Sequence, residues 1–163
     1  MNFPKFQRLV EERTGFKTME NATASGEYFS DSCGDMYNFF LKVGPGAVIE
    51  DMSYFTTGCG FGTATCSIVT DIAKGRTIDE AAAITPSEVE AVLDGYPEKK
   101  KDYPERALEA LHVAIADYRA KVTAGTIPDY ASIPRTQTVA LVPSAPVLEP
   151  TPTQDGKLLI SLR

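Results

Sequence analysis

The sequence predicts an α+β domain, in which helices pack on one face of a small three-stranded antiparallel sheet and a C-terminal extension follows. Two observations carry this prediction. Short segments rich in aromatic and β-branched residues, separated by turn residues, fill residues 27–57, as is typical of antiparallel hairpins. After Cys59, apolar residues recur every three or four positions, as is typical of amphipathic helices. Strands grouped before helices, rather than alternating with them, favour this architecture.

The strands follow a short helix, which the apolar stripe predicts over residues 4–14. Strands are expected over residues 27–32, 36–43 and 47–57. The sequence Gly44-Pro45-Gly46 separates the last two strands and is a turn signal. Such a short connection joins antiparallel strands, because parallel strands need a long crossover.

Four helical segments are then expected, and specific residues mark where they begin. The first starts just after Cys59. Thr77 opens a capping box that predicts the second helix. Pro86 suits the first turn of the third helix. Pro104 suits the start of a long last helix that ends near residue 122.

The composition changes at residue 123, which divides the chain into a domain over residues 1–122 and a tail over residues 123–163. Prolines recur through the tail with Ser, Thr and Ala between them, so we expect an extended or disordered segment. The apolar end, residues 157–163, either docks on a sheet edge of its own chain or of a partner, or stays unpacked.

The bulk properties exclude some classes of protein. The chain has 163 residues, a net charge of −6 and no long basic run, so it is a poor candidate for binding nucleic acid. No signal pattern and no membrane-spanning stretch is present, which predicts a cytoplasmic protein without a membrane partner. Its three cysteines are too few for a disulfide framework and are expected to be buried thiols, metal ligands or reactive groups.

Two short segments place a thiol in a setting suited to chemistry. In Cys33-Gly34-Asp35, a thiol and a carboxylate two residues apart form a mixed ligand pair for iron or zinc, although a plain turn at a strand end also fits. In Gly58-Cys59-Gly60, glycines flank a thiol at the expected start of a helix, where the helix dipole favours the thiolate. A buried cysteine in a tight turn is the alternative.

Five motifs together carry a resemblance to a known family. In order, they are Cys33-Gly34-Asp35, Ile49-Glu50-Asp51, Gly58-Cys59-Gly60, Lys74-Gly75-Arg76-Thr77-Ile78-Asp79-Glu80-Ala81 and Ala114-Ile115-Ala116-Asp117-Tyr118. Their order and spacing resemble the iron–sulfur cluster assembly scaffolds of the NifU/IscU type over about residues 20–122. The resemblance implies a SufE/NifU-like fold.

The resemblance also implies a set of site residues, because three cysteines and an aspartate surround the assembly site in this family. The matching metal ligands are Cys33, Asp35 and Cys59, with Cys59 or Cys33 as the persulfide acceptor. Tyr103 stands where the third cysteine is expected. A phenol can bind ferric iron but cannot carry persulfide sulfur. Asp102, the residue before it, is a substitute oxygen ligand.

Two further residues are candidates for the site. Cys66 lies seven residues after Cys59, about 10 Å further along a helix axis, so we expect a core thiol rather than a metal ligand. A redox pair of Cys59 and Cys66 is a third hypothesis. Lys100 matches a basic residue of the family's loop, where it would anchor the site or a sulfur donor.

The resemblance thus implies a scaffold and not an enzyme. Such a scaffold would take sulfur from a cysteine desulfurase, bind iron, and pass a labile cluster, most simply 2Fe-2S, to acceptor proteins. The missing third cysteine leaves one coordination position for Asp102, an exogenous thiol or a second subunit in a homodimer. The alternative is a zinc-binding or metal-free regulatory module that docks on the desulfurase.

Overall fold

The computed structural model describes residues 1–135 and the backbone of two short strands beyond them. In chain order, the elements are α1 (Phe3–Glu12), β1 (Ala24–Ser30), β2 (Asp35–Gly44), β3 (Val48–Thr56), α2 (Gly60–Ala73), α3 (Ile78–Ala82), α4 (Pro86–Val92), α5 (Tyr103–Ala124), β4 (Pro150–Pro152) and β5 (Leu158–Ile160). Three single 3-10 turns occur at Pro45–Ala47, Glu98–Lys100 and Tyr130–Ser132. No helix in the described part of the chain is long and apolar enough to cross a membrane.

The first three strands form an antiparallel sheet in the order β1-β2-β3. Alternate residues of the central strand, Tyr37, Phe39, Leu41 and Val43, are buried, and the residues between them are more exposed. Helices α5 and α2 pack on the buried face, α5 mainly over β1 and β2, and α2 mainly over β3. The predicted α+β class, with helices on one face of a three-stranded sheet, is confirmed.

Two of the helix starts follow from the side chains that the sequence singled out. The hydroxyl of Thr77 accepts a hydrogen bond from the N–H of Glu80 at 3.2 Å, and Thr85 accepts one from Glu88 at 3.3 Å. Each bond satisfies an N–H that has no partner within its helix. Pro86 occupies the first turn of α4, where a missing N–H costs nothing.

Strand β1 begins at Ala24, three residues before its predicted start, because small residues let helix α5 lie close to it. A side chain at Gly26 would place its Cβ only 2.6 Å from the Cα of Ala114 in α5. The stretch therefore has the composition of a loop but is a strand pressed against helix backbone. Glycine in a strand interior commonly marks such a close approach.

The packed domain extends beyond residue 122, its predicted end. Helix α5 ends at Ala124, and Gly125 follows it with a φ of +73°. Ile127 and Tyr130 then pack on the core, and the N–H of Gly46 donates to the carbonyl of Ile133 at 2.8 Å. Prolines prevent a helix here, but isolated apolar side chains still fix the segment.

The rest of the predicted tail lies outside the described residues, except for its two short strands. Strand β5 pairs antiparallel with β4 rather than with the three-stranded sheet. The described backbone therefore does not show the first of the two alternatives for this segment, docking on the edge of its own three-stranded sheet.

We expect the change Gly26→Ala to destabilise the fold by about 3 kcal/mol, because the backbone of α5 cannot move aside for the added methyl group. The thermal midpoint should fall by roughly 10 °C, measured by circular dichroism. Glu27→Ala, at the exposed neighbouring position of the same strand, is the control and should change the midpoint little. Equal midpoints for the two variants would contradict the close approach.

Candidate functional site

The site lies at the end of the sheet where β1 meets β2, and Cys33 is at the tip of that hairpin. The turn is closed by the N–H of Gly34, which donates to the carbonyl of Ser30 at 2.8 Å. Gly34 has a φ of +72°, a conformation that side chains disfavour, and no atom lies within 4 Å of where its Cβ would be. Cys33 is exposed, so its thiol stands at an open surface.

A second loop, residues 57–59, runs beside this hairpin and is fastened to it. The N–H of Met36 donates to the hydroxyl of Thr57 at 3.0 Å, and the N–H of Thr57 donates back to the carbonyl of Met36 at 3.2 Å. A Cβ at Gly58 would lie 3.2 Å from a carboxylate oxygen of Asp35. The carboxylate of Asp35 therefore lies against the loop that leads to Cys59.

Cys59 is the N-cap residue of α2 and is exposed. Its Sγ lies 3.3 Å from the hydroxyl of Tyr103, and the ammonium of Lys100 donates to the same hydroxyl at 3.4 Å. When Cys59 is a thiolate, the Tyr103 hydroxyl is the donor of this bond, because a thiolate has no hydrogen to give. The structure thus brings Lys100, matched from sequence, to the side of the site that holds Cys59.

These surroundings set the protonation of Cys59. Partial burial alone raises the pKa of its thiol, but the hydrogen bond with Tyr103, the N–H groups of Gly62 and Phe61, and the charge of Lys100 together hold the pKa below its ordinary value. Two of these causes, the N–H groups of Phe61 and Gly62, belong to the first turn of α2.

Tyr103, which the motif spacing predicts in place of a third cysteine, is only 4% exposed. Burial, and then its hydrogen bond to Cys59, raise the pKa of the phenol well above its ordinary range, so it remains a neutral donor. The Nζ of Lys100 and the Cζ of Arg106 lie 5.0 and 5.1 Å from the centre of its ring. Tyr103 therefore contacts Cys59 as a hydrogen-bond partner.

Arg106 is a site residue that the sequence reasoning missed. Its guanidinium donates to the Sγ of Cys33 at 2.9 Å and to the hydroxyl of Ser32 at 3.0 Å. It also forms an ion pair with Asp102, one helical turn earlier. The signal was its spacing of three residues from Tyr103, which places both on neighbouring surface of the first turn of α5.

Tyr37 forms the buried floor beside Arg106, with no exposed surface. Burial and the charge of Asp35 raise the pKa of its phenol, and the nearby guanidinium of Arg106 partly offsets this rise. The guanidinium therefore reaches inward from the surface, which agrees with its side chain being only 14% exposed.

The other two candidate metal ligands, Asp102 and Cys66, have contacts of another kind in the structure. Asp102 is engaged by Arg106, and Cys66 lies in the core with no exposed surface. Burial strongly raises the pKa of the Cys66 thiol, which keeps it protonated. Among the described residues, no group of three or more His, Cys, Asp or Glu side chains is arranged to hold a metal ion.

The fold and these two thiol-bearing loops define a small α+β domain with an exposed thiol site, and comparisons with known proteins show its family. The sequence profile of the NifU-like N-terminal domain matches residues 10–125. The iron–sulfur cluster assembly scaffold protein IscU of Aquifex aeolicus is 37% identical over 117 residues, which cover 71% of this chain and 73% of that protein. IscU of Escherichia coli is 35% identical over 106 residues, 65% of this chain and 82% of that protein.

A solved structure agrees in fold. The N-terminal part of a nitrogen-fixing NifU-like protein from Brucella abortus superposes with a TM-score of 0.53 at 17% identity, covering 74% of this chain and 99% of that one. The chain belongs to the NifU-like N-terminal domain family. The resemblance inferred from the five motifs is confirmed, and the named relatives support a scaffold role in iron–sulfur cluster assembly.

We expect the Cys59 thiol to react with iodoacetamide at lower pH than a model thiol, because its lowered pKa leaves more thiolate near neutrality. Tyr103→Phe removes one cause of the lowering, so the midpoint of the pH–rate profile should rise. The measurement uses chelator-treated protein carrying Cys33→Ser, so that Cys59 is the reactive exposed thiol.

Tyr96→Phe is the matched control for that experiment. Tyr96 is also a buried tyrosine near Phe61, but its hydroxyl bonds Thr65 at 2.8 Å. Loss of the Tyr96 hydroxyl should leave the midpoint of the pH–rate profile of Cys59 unchanged. A profile that both variants move alike would mean that the Tyr103 hydroxyl does not set the protonation of Cys59.

Proposed function

We propose that this protein is a scaffold that accepts sulfur from a cysteine desulfurase, assembles a labile iron–sulfur cluster and passes it to acceptor proteins. The observation that carries the proposal is the pair of exposed thiols, Cys33 and Cys59, on two loops fastened together beside the carboxylate of Asp35. This pair stands on a domain of the scaffold family. The cargo, sulfur and then iron, arrives from other proteins.

The three side chains differ as ligands, because two are thiols and one is a carboxylate. Thiolates are soft ligands suited to iron–sulfur clusters, and Cys59 supplies one readily because its pKa is lowered. Asp35 offers a harder oxygen ligand, which holds a cluster less firmly than a third thiolate and so favours release. We propose Cys33, Asp35 and Cys59 as the ligands, with 2Fe-2S as the cluster they hold.

Under this proposal, the ligand that fills the remaining coordination position comes from outside the chain. Tyr103 stays protonated against Cys59, and Asp102 is held by Arg106. Using Asp102 would require the loss of that ion pair. An exogenous thiol, or the site of a second copy in a homodimer, needs no such change, because Cys33 and Cys59 are both exposed.

Each step of this proposal is stoichiometric, so we propose a carrier and not an enzyme. Sulfur and iron enter, and a cluster leaves, without a substrate bond being turned over by the protein. Free thiols of this kind suit a reducing compartment, and we place the protein in the cytoplasm on that ground.

A second candidate function is favoured by the polar partners of the thiols. Arg106 and Tyr103 engage the two thiols directly, and the described residues hold no arranged metal group. A module that docks on the desulfurase without a cluster, or with zinc alone, would have such a site. The two functions differ in what the purified protein contains.

The test is to purify the protein without oxygen and to measure iron, acid-labile sulfide and zinc per chain, before and after incubation with iron, cysteine and a desulfurase. We expect iron and sulfide in matching amounts, and the loss of most of both in Cys59→Ser. Cys66→Ala, which alters the buried thiol, is the control and should keep them. Zinc alone, or no metal after incubation, would favour the docking module instead.

A further inference from the structure

Arg106 holds a position in the site that four neighbouring groups fix. Its guanidinium bonds the sulfur of Cys33 and the hydroxyl of Ser32, pairs with Asp102 and lies over the ring of Tyr103. The planar guanidinium has five donors, so it can make all of these contacts at once. Such a fixed side chain needs little reorganisation to bind an anion at Cys33.

The charge of Arg106 suits an anionic sulfur. A guanidinium nitrogen lies 2.9 Å from the Cys33 sulfur, so a negative charge that forms on a sulfur bound there has a cationic hydrogen-bond donor beside it.

The two thiols differ in their partners. Cys59 bonds the neutral phenol of Tyr103, and the ammonium of Lys100 reaches only that phenol, whereas Cys33 bonds a cation directly and stands at a hairpin tip with open space beside Gly34. A donor carried on another protein has room to approach Cys33. A charge-assisted hydrogen bond stabilises an anion more than a neutral one does.

We infer that Arg106 makes Cys33 the sulfur-accepting residue of this chain, by binding the anionic persulfide that forms there before iron arrives. This inference rests on the sulfur-receiving step of the proposed function. It assigns the step to one cysteine and adds a residue that contacts the reacting sulfur.

The transfer step balances without any further oxidant or reductant. The thiolate of Cys33 attacks the outer sulfur of a persulfide donor, R–S–SH, and a new S–S bond forms as the donor's S–S bond breaks. The proton of the outer sulfur passes to the leaving sulfur, so the donor departs as the thiol R–SH. Cys33 becomes a persulfide anion, Cys33–S–S⁻, to which the guanidinium of Arg106 donates a hydrogen bond.

The experiment uses the full-length protein, stripped of metal, and glutathione persulfide as the donor, so that neither iron nor a desulfurase takes part. Wild type is compared with Arg106→Met, Arg106→Lys and Arg119→Met. The Arg119 change is the control, because that residue is on the same helix but pairs with the exposed Asp79. Persulfide on each cysteine is trapped by alkylation and measured by peptide mass spectrometry over time.

We expect sulfur to accumulate on Cys33, and its rate of transfer to fall about tenfold or more in Arg106→Met, as when a charge-assisted hydrogen bond to a reacting anion is lost. Arg106→Lys keeps the charge and should recover part of the rate, which a merely structural role would not explain. Circular dichroism verifies that each variant is folded.

Sulfur found mainly on Cys59, or equal rates in Arg106→Met and Arg119→Met, would overturn the inference. So would a loss in Arg106→Met that Arg106→Lys does not restore in part. Because this assay contains no iron, its outcome is separate from cluster assembly. A protein that loads Cys33 through Arg106 yet never holds iron and sulfide would refute the proposed scaffold function and leave this inference standing.

Discussion

The close packing of α5 on β1 is the constraint on which the site depends. Gly26 offers no side chain, so the backbone of α5 reaches the strand at Ala114, and the helix is held at a fixed depth against the sheet. The first turn of the same helix carries Tyr103 and Arg106 to the loops at the sheet's end. A helix seated further out would carry both residues away from the two thiols, because a helix moves as a stiff rod.

The hairpin of β1 and β2 and the start of α2 supply the thiols, and α5 supplies the groups that control them. Hydrogen bonds between Met36 and Thr57 tie the two thiol-bearing loops to each other. Tyr103 and Arg106 then set the polarity around one sulfur each. At position 103, where the motif spacing predicts a third thiol, this chain has a hydrogen-bond partner of Cys59 instead.

The residues that follow α5 pack at the end of the molecule opposite the two thiols. Strand β2 runs from Asp35 at the site to Gly44 at the turn, a length of about 30 Å. The segment that ends the described domain bonds Gly46 beside that turn and packs Tyr130 against Tyr118. It therefore secures the fold at a distance from the thiols.

The sequence by itself determined the order of elements, the sheet and several helix starts, and it marked two cysteines as candidates for the site, because periodicity, caps, turns and motifs are local properties of the chain. It did not determine where β1 begins, since the small residues there look like a loop until α5 packs on them. Nor did it reveal Arg106, whose contact with Cys33 joins residues far apart in the chain. Only the tertiary structure decided which side chain faces which thiol, because those contacts depend on how a helix and two loops meet in space.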